Sequence, residues 1–267
     1  TYTIRARAFS PDGTGAYSLS VAERVIVPAP TPIPLTFGQE RSGRLVAGGP
    51  TAEDADDAAY AYYTFEAVQD GRYVITMNSS DFDSYVDIGR PGEEYFESFA
   101  SDDDSGGELN SRALFQALEA GTYTIRARAL GAESYGAYTV GVSEFVAPRA
   151  PRPGRIRVGS TVTGSLDSND PVFEAFKRYD DYVLSGRAGQ TITVTLSSTD
   201  FDSYLVAGIA GPTGFATAQV DDDGAATAEE GGLDSKLVLT FDRAGEVIIR
   251  ATSFGDGSEG GYTLTVE

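Results

Sequence analysis

Apolar and polar residues alternate along most of the chain. Tyr123, Ile125 and Ala127 are interleaved with Thr122, Thr124, Arg126 and Arg128. Successive side chains of an extended chain point to opposite sides, so this period predicts a strand with one buried and one wet face. The same pattern runs through Tyr73, Ile75, Met77; Tyr138, Val140, Val142; Ile192, Val194, Leu196; and Tyr262, Leu264, Val266. Turn sequences separate these runs: Gln69-Asp70-Gly71, Glu119-Ala120-Gly121, Ala188-Gly189, Arg243-Ala244-Gly245 and the glycine-rich residues 255–261. No segment sustains a 3.6-residue period, and residues 52–59 and 170–176 allow only short helical patches.

The pattern repeats on a larger scale. Thr-Tyr-Thr-Ile-Arg-Ala-Arg-Ala occurs unchanged at residues 1–8 and 122–129, and Gly15-Ala16-Tyr17 falls on Gly136-Ala137-Tyr138 at the same offset of 121. Ser80-Asp81-Phe82-Asp83-Ser84-Tyr85 returns as Thr199-Asp200-Phe201-Asp202-Ser203-Tyr204, and Asp102-Asp103-Asp104 as Asp221-Asp222-Asp223, both shifted by 119. A period of about 120 residues means tandem whole domains, because solenoid repeats run to about 20–50 residues. With about eight strands per unit, the expected fold is all-β: tandem antiparallel β-sandwiches of jelly-roll type.

Seven of the twelve prolines fall in two stretches, residues 27–35 and 146–154, where polyproline geometry makes a stiff spacer. The expected organisation is a closing hairpin of a preceding, incomplete module (residues 1–25), a proline-rich linker (26–36), a complete module (37–145), a second linker (146–155) and a second complete module (156–267). The opening hairpin either belongs to a longer array or is donated to a neighbouring copy by strand addition.

Composition narrows the chemistry. Forty acidic residues against twenty basic ones give a net charge of −20, which repels nucleic acid and anionic lipid and favours cations. There is no cysteine and no histidine. Thiol and imidazole catalysis and their zinc sites are thereby excluded. No apolar run approaches the ~20 residues of a membrane span.

Hard oxygen ligands remain. Asp81 and Asp83, or Asp200 and Asp202, stand two apart on one face of a strand start, with Phe82 or Phe201 turned to the core. Asp102, Asp103 and Asp104, or Asp221, Asp222 and Asp223, begin loops that close at Asn110-Ser111 or Asp234-Ser235. Three successive carboxylates repel one another unless screened, and calcium accepts carboxylates, carbonyls and waters in forgiving geometry. These residues, with Asp234, are the candidate calcium ligands; the competing expectation is solvated loop carboxylates. A glycosidase using Asp81/Asp83 or Asp200/Asp202 has no tryptophan sugar platform, and duplication of the pair reads as structural. Arg126 and Arg128 are expected to form ordinary cross-strand pairs on a wet face.

The order of landmarks resembles the bacterial pre-peptidase C-terminal (PPC) domain: Gly71, residues 81–85, 102–111, 121–126 and 136–142, and again Gly189, 200–204, 221–235, 245–250 and 261–266. Departures are Gly245-Glu246-Val247 in place of Gly-Thr-Tyr, and Ala61-Tyr62 where the second unit has Asp180-Asp181. The resemblance implies a jelly-roll sandwich attached to secreted bacterial hydrolases or strung along surface proteins, similar to the calcium-dependent collagen-binding domains of clostridial collagenases.

The expected function is a non-catalytic, extracellular, calcium-stabilised β-sandwich array that spaces, anchors or assembles a surface, filament or secreted protein. The alternative is a targeting appendage of a secreted peptidase that binds protein or polysaccharide. Expected partners are other copies or domains of the same protein, with neither nucleic acid nor membrane insertion.

Overall fold

The computed structural model describes residues 1–22, 27–92, 95–211, 214–225 and 233–267. Two β-sandwiches follow one another. The first comprises β1 (Ile33–Pro34), β2 (Glu40–Leu45), β3 (Thr51–Ala52), β4 (Ala58–Ala67), β5 (Arg72–Asn78), β6 (Ser84–Pro91), β7 (Phe96–Asp102), β8 (Ser111–Gln116), β9 (Gly121–Ala129) and β10 (Gly136–Glu144). The second comprises β11 (Gly154–Ile156), β12 (Thr161–Leu166), β13 (Val172–Phe173), β14 (Lys177–Gly186), β15 (Thr191–Ser197), β16 (Ser203–Gly211), β17 (Gly214–Asp221), β18 (Ser235–Thr240), β19 (Gly245–Ser253) and β20 (Gly260–Val266).

One sheet of the first sandwich runs β1-β4-β9-β6-β7 with β3 on β4, and the other runs β2-β10-β5-β8. The second sandwich repeats this as β11-β14-β19-β16-β17 with β13 on β14, and β12-β20-β15-β18. Setting aside the short β1 and β3, eight strands in the orders 4-9-6-7 and 2-10-5-8 make the two Greek keys of a jelly roll. The expected fold class is what the chain adopts. β1 and β11 join as parallel edge strands, so the end of each proline-rich stretch is tied to a sheet, and Pro34 sits at an edge where a missing N–H costs nothing.

Each sandwich buries its own core. Ile75, Met77, Val86, Ile88, Ile125 and Val140 are fully enclosed in the first; Leu184, Ile192, Leu196, Leu205, Ile249 and Leu264 in the second. Phe82 and Phe201 point inward as their alternation requires. The tyrosines of the two Gly-x-Tyr motifs bridge the sheets. Tyr138 and Tyr63 meet hydroxyl to hydroxyl at 2.8 Å, and Tyr262 and Tyr182 at 2.6 Å. Tyr138 crosses Gly43 so closely that a β-carbon there would stand 2.3 Å from its ring, and Gly164 stands in the same relation to Tyr262.

Three expectations change. Residues 52–59 hold a single 3-10 turn at Glu53–Ala55, and residues 170–176 hold β13 rather than a helix. Residues 1–22 carry no strand and expose Tyr2, Ile4 and Tyr17, although residues 1–8 match β9 letter for letter. The physical reason is that β9 is held between the ladders of β4 and β6, and an isolated strand pair is marginal in water. Residues 23–26, where that expected hairpin ends and the linker begins, lie outside the described residues.

The third change concerns Arg126 and Arg128, which are not on a wet face. They are only 5% and 8% exposed. Arg126 pairs with Asp87 at 3.0 Å and with Asp54 at 2.7 Å, and Arg128 reaches Asp87 at 3.1 Å. Burial favours the neutral form of the Asp54 carboxyl, but the Phe96 N–H and the Arg126 guanidinium outweigh it and hold the group below its ordinary value. In the second sandwich Arg250 takes the place of Arg126 and binds Asp181 through two bonds of 2.9 and 3.0 Å. Arg126 lies opposite Asp87 on β6 and Tyr62 on β4, whereas Arg250 lies opposite Val206 on β16 and Asp181 on β14. The same guanidinium is thus neutralised from opposite sides in the two units, and this accounts for Tyr62 standing where Asp181 stands; Asp180 instead accepts the Tyr262 hydroxyl at 2.6 Å.

Removing one partner of a buried ion pair strands the other, at a cost of about 3–5 kcal/mol. Arg126→Met should therefore destabilise the first sandwich by about that amount in urea unfolding, and Arg250→Met should do the same to the second. A loss under about 1 kcal/mol, the value of an exposed pair, would show that water screens these networks.

Candidate metal centre

In each sandwich the sequence-predicted aspartates lie on either side of the corner where the strand after the Asp-Phe-Asp motif meets the acidic loop. A buried serine pair fixes this corner. Ser84 Oγ lies 2.7 Å from Ser111 Oγ, accepts the Ser111 N–H at 2.9 Å and contacts the Leu109 carbonyl. Ser203, Ser235 and Leu233 repeat every bond. The serine that closes the acidic loop is therefore a clamp between β6 and β8, or β16 and β18.

The aspartates do not act together. Asp81 Oδ2 accepts the Ala137 N–H at 2.8 Å, and Asp200 Oδ2 the Gly261 N–H at 2.7 Å. This bond explains the glycine that opens each Gly-x-Tyr strand: a β-carbon on Gly136 or Gly260 would stand 2.2 or 2.3 Å from Asp81 or Asp200. Asp102 Oδ2 accepts the N–H groups of Ser105 and Arg112 at 3.0 and 2.6 Å, and Asp221 Oδ2 those of Gly224 and Lys236 at 2.8 and 2.7 Å. Asp81, Asp102, Asp200 and Asp221 thus satisfy backbone donors at turns. Asp234 contributes its carbonyl to Ala225 N–H at 3.0 Å, next to residues 226–232, which lie outside the described residues.

Asp83 and Asp202 differ. One carboxylate oxygen of each is buried without a hydrogen-bond partner, and both are Oδ1. Burial raises the Asp83 carboxyl above its ordinary value, and the charges of Asp104 and Asp103 raise it further; burial, then Asp223 and Asp222, do the same for Asp202. Each side chain is half-buried, so one oxygen is sealed while the rest of the group remains accessible. Among the described residues, no three acidic side chains stand together closely enough to hold a metal ion. The arrangement is one unpartnered inner oxygen in a carboxyl group under the influence of two acidic neighbours, repeated 119 residues apart.

Such a corner is chemically incomplete. An orphan carboxylate oxygen costs about 1–3 kcal/mol or more, and three negative charges around it repel. A hard divalent cation would relieve both, but Asp103 and Asp104, or Asp222 and Asp223, would have to move in beside Asp83 or Asp202, with main-chain carbonyls and waters completing its 6–8 oxygens.

No family model matches the chain, and no curated protein matches it. Among solved structures it is similar to the pre-peptidase C-terminal domain of a collagenase from Bacillus anthracis, with 16% identity, 45% of this chain and 98% of that one covered, and a TM-score of 0.33. It is also similar to the exported protein XepA of PBSX, with 13% identity, 87% and 83% covered, and a TM-score of 0.19.

The orphan oxygens generate a test in which removing a charge stabilises the protein. With its native value raised, Asp83 disfavours the folded state where it is ionised. The penalty is full above the raised value and gone below the ordinary value of 3.8. In EDTA at neutral pH, Asp83→Asn and Asp202→Asn should raise the melting temperature, and the gain should vanish on acidification through the carboxyl range. A lowered melting temperature at both pH values would show that these carboxylates have protein partners.

Proposed function

We propose that the chain is a non-catalytic, extracellular β-sandwich array whose modules are stabilised by calcium and which spaces, anchors or assembles a larger surface or secreted protein. The observation that carries this reading is the pair of orphan Asp83 and Asp202 oxygens, each buried in a carboxyl group that the charges of its acidic loop raise further. A duplicated corner, with its serine clamp intact in both copies, is what a structural cation requires of each module separately. A catalytic centre has no such need to recur.

Other features support the same reading. Absence of histidine and cysteine leaves little acid–base or nucleophilic chemistry near neutral pH. An extracellular setting fits the proposal, because weak calcium sites of about 10⁻⁴–10⁻³ M are filled only where the ion is abundant. The modules also touch. Arg72 donates to the Ala175 carbonyl at 3.0 Å and lies 5.4 Å over the ring of Phe145, which meets Phe176 edge to face at 5.1 Å. The expected stiff spacer is thus supplemented by direct contact, because two aromatic rings and a guanidinium remove more surface from water when docked than apart.

Calcium should raise the melting temperature of the protein, and EDTA should reverse it. A ligand specific to the native state stabilises by about 2.7 kcal/mol at a hundredfold excess over its dissociation constant. Asp83→Asn should abolish the shift for the first module and leave that of the second. Melts that coincide in millimolar calcium and EDTA would remove the cation from the proposal and leave the acidic corners as solvated surface.

A further inference from the structure

Residues 1–22 expose what the first sandwich buries. Tyr2 is fully exposed, and Ile4, Tyr17 and Leu19 are more than half so. Their counterparts 121 residues on, Tyr123, Ile125, Tyr138 and Val140, are core residues of β9 and β10. Six residues, 9–14, separate the two matching runs, and six, 130–135, separate β9 from β10. Both runs can therefore lie in register at once.

The seat of β9 and β10 is built for these letters. β9 lies between β4 and β6, and β10 between β2 and β5. Asp87 and Asp54 neutralise Arg126, and Asp87 also holds Arg128; residues 1–22 carry Arg5 and Arg7 at those places. Asp81 accepts the Ala137 N–H and leaves no room for a β-carbon on Gly136; Ala16 and Gly15 correspond. Tyr63 meets the hydroxyl of Tyr138, and Tyr17 takes its place.

The departures are small. Ser18, Leu19 and Ser20 stand for Thr139, Val140 and Gly141. A β-carbon on Gly141 would meet no atom closer than 3.4 Å, so Ser20 is admitted. Leu19 adds one methylene where Val140 is fully enclosed, which makes residues 1–22 a slightly poorer occupant than the module's own pair. The second module is a worse fit. Val206 stands where Asp87 does and Thr252 where Arg128 does, so the carboxylate that Arg5 and Arg7 would share is missing there.

We propose that residues 1–22 act as the closing strand pair of the first module in a second copy of the chain, taking the seat of that copy's β9 and β10. Each chain holds one such seat and two pairs that fit it, so one pair is always left to offer. Exchange of an identical element between protomers is a low-cost route to association, with backbone ladders supplying affinity and the two arginines selectivity. The contact gives the assembly part of the proposed function a specific form. It needs no cation, so it stands or falls separately from the acidic corners.

Because the chain has no cysteine, a disulfide can report the register. Thr124 lies directly opposite Thr64, and Thr3 is its counterpart. A full-length donor carrying Thr3→Cys and a full-length acceptor carrying Thr64→Cys are unfolded together in urea, refolded in EDTA under a thiol–disulfide buffer, and read by non-reducing electrophoresis with mass mapping of the linked positions. With the two cysteines on separate chains, seating within one chain gives no product. A link between positions 3 and 64 is expected, rising with donor and reaching about a tenth of the acceptor at about 0.1 mM, since the tethered pair competes at an effective concentration of about millimolar. Gly136→Val in the acceptor, which sets its own pair against Asp81, should raise the yield several-fold, and Gly15→Val in the donor should abolish it. A donor with Arg5→Cys instead is two residues out of register, about 7–8 Å away, and should not link. An acceptor with Val183→Cys, which faces Ile248 in the second module, should stay at background. Absence of the 3–64 link, indifference to Gly15→Val, or equal linking through Arg5→Cys or Val183→Cys would each overturn the proposal.

Discussion

Burial of β9 and β19 on both faces is the constraint from which much of the remaining architecture follows. A jelly roll places this strand in the middle of its sheet, with core on one side. Here the other side is covered as well, so that Thr124, Arg126 and Arg128 are buried like Ile125 and Ala127, if less completely. A guanidinium removed from water must be matched by a carboxylate or the strand cannot be buried. In the first module the match requires Asp87 from one neighbouring strand and Asp54 from the loop after β3, which fixes that loop against the sheet and positions the Phe96 N–H on Asp54. In the second, Asp181 does the same from the other neighbouring strand, while Phe173, Tyr179 and Phe215 close over the guanidinium at 4.8, 3.6 and 4.2 Å. Two different sequences thus reach one solution, which is why the repeat is obvious at the arginines and blurred at their partners.

Much of the fold was legible because sheet formation obeys a local rule. A period of two specifies a strand and which face turns inward, and Phe82, Tyr138 and Ile125 took the predicted positions. The turn glycines were equally readable, though the reason for Gly136 was not: it makes room for Asp81, a residue 55 positions away. Residues 1–8 show the limit of the rule. They carry the same letters as β9 and form no strand, because a strand needs neighbours to receive its hydrogen bonds and its apolar face.

The candidate site was legible as a place and illegible as a ligand set. Eleven aspartates with similar spacing look alike in sequence, yet a carboxylate beside a turn is claimed first by the backbone N–H groups that the turn leaves open. Asp81, Asp102, Asp200 and Asp221 are used in this way, and only the three-dimensional positions of Ala137, Arg112, Gly261 and Lys236 reveal it. Asp83 and Asp202 escape that fate: their carbonyls accept the Leu130 and Phe254 N–H groups, but no donor reaches the inner oxygen of either carboxylate. The useful signal in the sequence was therefore the recurrence of the second aspartate of the motif together with the serine that follows it, since Ser84 and Ser203 clamp the corner.

The junction obeys different logic from the modules. Phe176 is almost fully buried although it stands outside the second core, and it meets Phe145, which lies just beyond β10. Arg72 completes the contact from the first residue of β5. The corresponding first residue of β15 is Thr191, which has neither the length nor the charge to cap a carbonyl across a module boundary. A module core needs only apolar letters at alternate positions and tolerates many substitutions, but a junction of three side chains depends on each of them. Repetition of the fold thus does not bring repetition of the contact, and the junction of Arg72 and Phe176 belongs to this particular pair of modules.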